Sequence, residues 1–285
     1  MNLQEVLEAQ RDEKMFRKHP ELKHPAFLPE PVLKEFNLES KIKEAVTFII
    51  PFCGSDRVLQ LNKCVNNLVL RYPQCEILII EEGPTRIIKQ TIPGTRYIFV
   101  YSKRLFNKSR CFNLGFLSAS NSIICGLDCD MIIPSNLLDV SIDSINKNKV
   151  VFPGNDIYYV YKNVDINNLN EKIWYHKTWS KHRADWQFHG GIFICNKKAY
   201  ATVGGFDPRY EGHGSEDSSF YLRCIESTGN ADTTRSINLL HIDHLYDEKL
   251  MLTVETNKNL LFISTRISPA ERIIDCKKFN IFNNN

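Results

Sequence analysis

The chain has 285 residues, 43% of them hydrophobic, with 36 Lys and Arg against 33 Asp and Glu for a formal net charge of +3. That length admits one large or two small domains and can bury enough surface to fold without staples. The mixed, near-neutral charge lacks the basic field that dominates nucleic-acid affinity, so nucleic acid is excluded as a substrate class. No apolar run approaches the length of a membrane span, and Met1-Asn2-Leu3-Gln4-Glu5 lacks the basic-then-apolar order of a signal peptide. A cytoplasmic protein is expected, at a membrane only through a partner, with its nine cysteines reduced. No Cys-x-x-Cys occurs, which argues against a cysteine zinc site.

Residues 1–44 carry charges of both signs and four prolines (Pro20, Pro25, Pro29, Pro31), which break any continuous helix. They read as an N-terminal helical extension: a helix, an irregular crossing and a short helix that packs against the domain beginning at residue 45. Val46-Thr47-Phe48-Ile49-Ile50 is an apolar, β-branched run ended by Pro51, the pattern of a strand buried on both faces. Helical spacing continues from Val58 to Leu70, then a second buried strand at Glu76–Ile80, a third at Tyr97–Tyr101, a helix over 109–118 and a fourth strand at 122–127. Such alternation predicts parallel βαβ units in an open α/β sheet, with the ligand outside the carboxyl ends of the strands.

Beyond Pro134 the pattern predicts a helix to Asn146, a strand at 150–153, then a break in the alternation where Trp174, Trp179 and Trp186 cluster with Tyr158, Tyr159, Tyr161 and Tyr175. Such an aromatic cluster over 158–189 is either a small satellite core or a surface whose ring faces stack on the apolar face of a ligand. A strand after Gly190-Gly191, a helix over 197–203, a helix over 217–227 and a last strand at 237–241 complete the series. The domain therefore spans 45–247, divided into halves at 134, and 248–285 reads as a helical tail.

Three motifs carry chemistry. Asp128-Cys129-Asp130 directly follows the fourth strand. An isolated Asp-x-Asp is ordinarily a solvated turn, but at the ligand edge of a sheet, with strand alternation placing both acids on one side, the pair can share a divalent cation such as Mg2+ or Mn2+. Gly212 to Asp217 is a glycine loop ending in two acids at the first turn of a helix, where the dipole favours the ionised form and a carboxylate can act as a general base. His241-Ile242-Asp243-His244 follows the last strand and offers two imidazoles to a metal.

Other pieces accompany these in order: Ile50-Pro51-Phe52 and Ile80-Glu81-Glu82-Gly83 at strand ends, Asn107 to Gly115 opening a helix, Gly190-Gly191, and Val203-Gly204-Gly205-Phe206-Asp207. The ordered set resembles the GT-A fold glycosyltransferases, in particular inverting family 2 and its galactosyltransferase-like branch, over residues 46–246. The resemblance implies a Rossmann-like open mixed sheet flanked by helices that binds a nucleotide-sugar. It implies that Pro51, Phe52 and the acid at Glu81 or Glu82 hold base and ribose, that Arg57 and Arg110 contact base or phosphate, and that Gly191 lies at the donor. Asp130 would bind Mn2+ or Mg2+ directly, with Asp128 reaching the ribose or, through water, the metal. His244 would complete the metal set, with His241 as competitor. Asp217 would be the catalytic base and Glu216 its neighbour on the sugar, with Trp179, Trp186 and His213 at the acceptor. The family commonly has Trp at the His213 position and Gly at the Ser215 position, which bears on the acceptor platform.

The activity so implied is metal-dependent transfer of a sugar, from a UDP-Gal, UDP-GalNAc or UDP-Glc type donor, to a hydroxyl of a glycan or glycoconjugate with inversion. The alternatives are a sugar-1-phosphate nucleotidyltransferase, for which Cys53-Gly54-Ser55-Asp56 is a poor phosphate loop, and a non-catalytic carbohydrate-binding protein of transferase descent. No Gly-x-Gly-x-x-Gly follows a predicted strand, against a dinucleotide oxidoreductase.

Overall fold

The computed structural model describes residues 28–160, 163–169, 175–177, 190–228, 231–234, 236–244 and 248–280. The expected strands and helices form in the expected order. Strand β1 (Val46–Phe52) leads through helix α2 (Val58–Arg71) to β2 (Glu76–Gly83) and β3 (Arg96–Tyr101), and helix α3 (Lys108–Ser118) leads to β4 (Ile123–Leu127). Ahead of them, α1 (Glu30–Phe36) starts directly after Pro29 with Pro31 in its first turn, where the missing N–H costs nothing. The earlier helix expected in the extension lies outside the described residues.

The main sheet has the order β10-β6-β9-β4-β1-β2-β3, with β6 at Val150–Val151, β9 at Ile192–Asn196 and β10 at Ala231–Asp232. Strand β1 pairs in parallel with β2 and with β4, while β9 runs antiparallel to β4. Every residue of β1 is buried, because helices cover both faces. Phe48, Ile50 and Phe52 point to one side and pack with Leu61 and Leu68 of α2. Ile49 points to the other and joins Phe112, Phe193, Tyr200, Phe206 and Phe220. The uninterrupted apolar run therefore reflects two cores, one per face.

Gly115 brings α3 onto β1 at a distance no side chain allows, since a Cβ there would overlap the Ile49 side chain. Gly115→Ala is expected to lower the unfolding free energy by about 1–3 kcal/mol, the usual range for overpacking. Urea titration checks this, and an unchanged midpoint with an unchanged slope would show that the helix can lift off without cost.

A second sheet departs from the sequence expectation. Strands β5 (Met131–Ile132), β7 (Gly154–Val160), β8 (Tyr175–Lys177) and β11 (Ile237–Ile242) pair in the order β5-β11-β7-β8. The strand expected at 150–153 is therefore two: β6 ends at Val151, and β7 begins after Pro153 in the other sheet. Asn155 and Asp156 interrupt the apolar pattern of β7 and hide it from a reading by periodicity. Leu28, Val32 and Phe36 of the α1 region cover this sheet against Ile132, Tyr158, Val160, Leu240 and Ile242.

The chain continues through α4 (Leu137–Asn146), α5 (Lys197–Thr202) and α6 (Glu216–Thr228), then the tail helices α7 (Glu248–Met251), α8 (Val254–Ser264) and α9 (Pro269–Phe279). Helix α9 starts with a complete capping box, Ser268 with Glu271. No helix among the described residues is long and apolar enough to cross a membrane. All nine cysteines are free thiols.

Candidate active site

The carboxyl ends of β1 and β4 lie side by side and open into a cavity of about 280 Å3, the place where an open α/β sheet presents its ligand. Two side-chain clusters line it.

The first centres on Asp130. Strand β4 stops at Leu127 and gives way to a turn, closed by Met131 N–H donating to Asp128 O at 3.1 Å. The second sheet then brings in the histidines: β11 pairs antiparallel with β5, setting His241 opposite Met131, and Ile242 N–H donates to Asp130 O at 2.8 Å. His244 Nε2 lies 3.1 Å from Asp130 Oδ2 and His241 Nε2 3.6 Å from Oδ1. Ligand atoms of all three residues fall within 4.8 Å of one another. Both histidines thus join the cluster, where the sequence leaves a choice between them.

Burial opposes charge on Asp130, but the two histidines and Arg57 outweigh it and hold the carboxyl well below its ordinary range. Burial pushes the pKa of His241 down against the pull of Asp130, toward the neutral form in which an imidazole binds metal. Asp130 Oδ1 and His241 Nδ1 are buried without a hydrogen-bond partner. One carboxylate, with an orphaned oxygen, and two imidazoles fit a divalent cation. Arg57 approaches from the loop after β1, its Nη1 2.7 Å from Asp130 Oδ2.

The second cluster gathers acids around Lys108. Its Nζ lies 2.9 Å from Asp128 Oδ1, 3.0 Å from Asp217 Oδ2 and 3.6 Å from Glu216 Oε1. The expected sharing of one cation by Asp128 and Asp130 is therefore not what the turn produces, because Asp128 turns to Lys108 and Asp130 to the histidines. The helix dipole alone would favour ionised Asp217. Burial instead pushes its pKa up to about 7, with Lys108 pulling it down and Glu216 and Asp128 raising it further.

The loop before α6 needs left-handed backbone at Gly212 (φ 73°), Gly214 (φ 96°) and Ser215 (φ 70°). The C-terminal helices brace it: Asn257 Nδ2 donates to Glu211 O at 2.9 Å and His213 O at 3.1 Å, and Thr253 Oγ1 accepts from His213 N–H at 2.9 Å. Ser215 is the one residue of the three with a Cβ to strain. Ser215→Gly is expected to raise the unfolding free energy by about 1 kcal/mol, read by urea titration; a loss of stability would mean that the serine side chain offsets the strain of its conformation.

Of the residues expected at the site, Pro51, Arg57, Asp128, Asp130, Gly191, His213, Glu216, Asp217, His241 and His244 line the cavity. Phe52, Glu81, Glu82 and Arg110 do not. Phe52 is buried in the core. Glu81 accepts from the backbone N–H groups of Ile87 and Ile88 and from Tyr97 Oη. Glu82 accepts from Asn107 N–H and pairs with Arg110. Trp179 and Trp186 lie outside the described residues, as does Trp174.

Sequence reasoning misses Lys108. The motif that opens α3 is legible, but it points to Arg110 as the cation. Asn107 caps the helix by accepting from Arg110 N–H at 2.8 Å and so fixes its phase. Residues two apart on a helix point roughly 200° apart, which sends Lys108 to the acids and Arg110 to Glu82. Sequence reasoning also misses Leu250 and Met251 of the tail, which form part of the wall; nothing in their local sequence signals this.

The family described as "Glycosyl transferase family 2" matches residues 47–204, more than half of the chain. The chain belongs to that family. A second family, described as "N-terminal domain of galactosyltransferase", matches residues 171–247 of this family 2 chain, the stretch that carries Asp217 and both histidines. Among characterised relatives, a xylosylprotein 4-beta-galactosyltransferase from Caenorhabditis elegans is 29% identical over 126 residues, spanning 44% of this chain and 36% of the relative. The match thus spans little more than a third of that relative's length.

Among solved structures, one of GalNAc-T7 with UDP, GalNAc and Mn2+ is similar at a TM-score of 0.53 and 14% identity, covering 73% of this chain and 45% of that one. A Drosophila β1,4-galactosyltransferase 7 mutant in complex with manganese, UDP-Gal and xylobiose is similar at a TM-score of 0.43 and 15% identity, over 73% of this chain and 78% of that one. The architecture of the family 2 chain is accordingly GT-A, a mixed sheet flanked by helices.

Proposed function

We propose that this chain is a metal-dependent inverting glycosyltransferase that moves a sugar, galactose first among the candidates, from a UDP donor to a hydroxyl of a glycan or glycoconjugate. One observation carries the reading: a cation-ready set (Asp130, His241, His244) and a half-buried carboxyl poised near neutrality (Asp217) share one cavity at the ligand edge of the sheet.

In the transfer, the bond from the anomeric carbon to the diphosphate breaks as the acceptor oxygen attacks from the opposite face. Asp217 takes the acceptor's proton, and a carboxyl that titrates near the working pH does this best. Glu216, its neighbour at the start of α6, hydrogen-bonds a sugar hydroxyl. Arg57 adds positive charge beside the leaving diphosphate, and Asp128 accepts from the donor ribose. Asp130, His241 and His244 would hold Mn2+ or Mg2+, which supplies Lewis-acid stabilisation of the leaving diphosphate. Two imidazole ligands favour Mn2+, since Mg2+ prefers oxygen and keeps its waters. A single displacement inverts the anomeric centre.

The test is a panel of nucleotide sugars with Mn2+, read as released nucleotide with and without acceptor. The name of the worm relative makes a xylosylated protein the first acceptor to offer. Release of UDP from UDP-galactose, with NMR showing inversion in the new bond, supports the reading; retention sinks the mechanism. Diphosphate-dependent conversion of a nucleotide sugar to nucleoside triphosphate and sugar 1-phosphate would instead mark a nucleotidyltransferase, and sugar binding with no turnover of any donor would mark a binding protein.

A further inference from the structure

Lys108 is the cation on which the acids of the cavity converge. Its side chain is only 12% exposed, and three carboxylates meet it. Asp128 and Asp217, both at direct bonding distance, share the one ammonium. Burial works against a charge on Lys108, but the three acids outweigh it and hold the ammonium protonated. Asp217 has little room to turn away, since Gly190 packs so close that a Cβ there would lie 2.7 Å from Oδ2.

We propose that Lys108 is a positioning residue that links the two ends of the reaction, so that whatever engages Asp128 sets the proton affinity of Asp217. The inference rests on Asp217 being the base of the transfer proposed above. A donor hydroxyl that occupies Asp128 draws that carboxylate off Lys108. The ammonium then serves Asp217 alone and lowers its proton affinity, so more of the carboxyl stands ionised, free to take a proton, once the donor is seated. Asp217 is faced by Lys108 from α3, by Glu216 from its own helix and by Asp128 from the turn after β4. Gly190 adds no charge, and the same cavity also carries His213, Asp56, Arg57 and the Asp130 cluster.

The experiment follows the Asp217 carboxyl by NMR of the full chain labelled with 13C at aspartate, its signal identified by loss in Asp217→Asn, and in parallel the pH dependence of UDP-galactose hydrolysis with Mn2+. The wild-type carboxyl should titrate near 7. Lys108→Met should move the midpoint up by roughly one to three pH units, the usual effect of an adjacent opposite charge. Asp128→Asn, which leaves the ammonium to Asp217, should move it down. The acid limb of hydrolysis should move with the midpoint in both variants.

An unchanged midpoint in folded Lys108→Met, or an upward shift in Asp128→Asn, overturns the coupling. A purely structural role for Lys108 would scale hydrolysis equally at all pH values and leave the limb in place. Should Lys108→Met not fold, the direction of the shift in Asp128→Asn decides alone. Midpoints that move while the hydrolysis limb stays fixed keep the coupling and overturn Asp217 as the base.

Discussion

Asp217→Asn is expected to lower transfer by roughly 10^2 to 10^4, the contribution typical of a positioned general base, while leaving the fold and donor binding in place. Wild-type activity should rise with pH through about 7, as the carboxyl loses its proton. The same substitution has an opposite effect on stability. Folded Asp217 keeps its proton to about 7, whereas in the unfolded chain it is lost near pH 4. Between those values the native state binds more protons than the unfolded one, so wild-type stability declines as pH rises through the window. The asparagine variant lacks this decline and should melt higher than wild type at pH 8, with a smaller difference at pH 4. Thermal melts across pH check this, and a variant that is inactive and also less stable at pH 8 would point to a structural role for the carboxyl.

Asp130→Asn and His241→Ala are each expected to weaken Mn2+ binding by more than about 100-fold, the upper end of what loss of even an outer-shell partner costs. Binding is read directly by electron paramagnetic resonance of free Mn2+, independent of any substrate, and activity should fall with it. The two variants differ in one respect. Asp130→Asn leaves the partly buried Arg57 guanidinium without its 2.7 Å partner, so it should also lower the melting temperature. His241→Ala leaves no charge unpaired and loses the packing of its ring on Tyr159. Unaltered Mn2+ affinity in His241→Ala would remove that residue from the metal set and leave Asp130 with His244.

The sequence by itself determined the parts of this protein that local pattern encodes. Runs such as Val46–Ile50 state that a strand is buried on both faces, helical spacing over 58–70 states that a helix follows, and their alternation sets the sheet and its ligand edge. Of the residues that the ordered motifs and the resemblance name, ten line one cavity.

Tertiary structure decided what depends on register and phase. Pairing of β11 with β5 brings both histidines to Asp130 and makes the second sheet, which has no signature in a β7 broken by Asn155 and Asp156. The turn after Leu127 sends Asp128 and Asp130 to different partners, although strand alternation would have aimed them together. The Asn107 cap rotates Lys108 into the acids and Arg110 out to Glu82. Partial burial then raises the pKa of Asp217 to about 7, because a helix dipole is worth less than the solvation that the carboxylate loses in the cavity. Each of these outcomes turns on the angle of one residue within its element or the distance between segments far apart in the chain, and composition and periodicity carry neither.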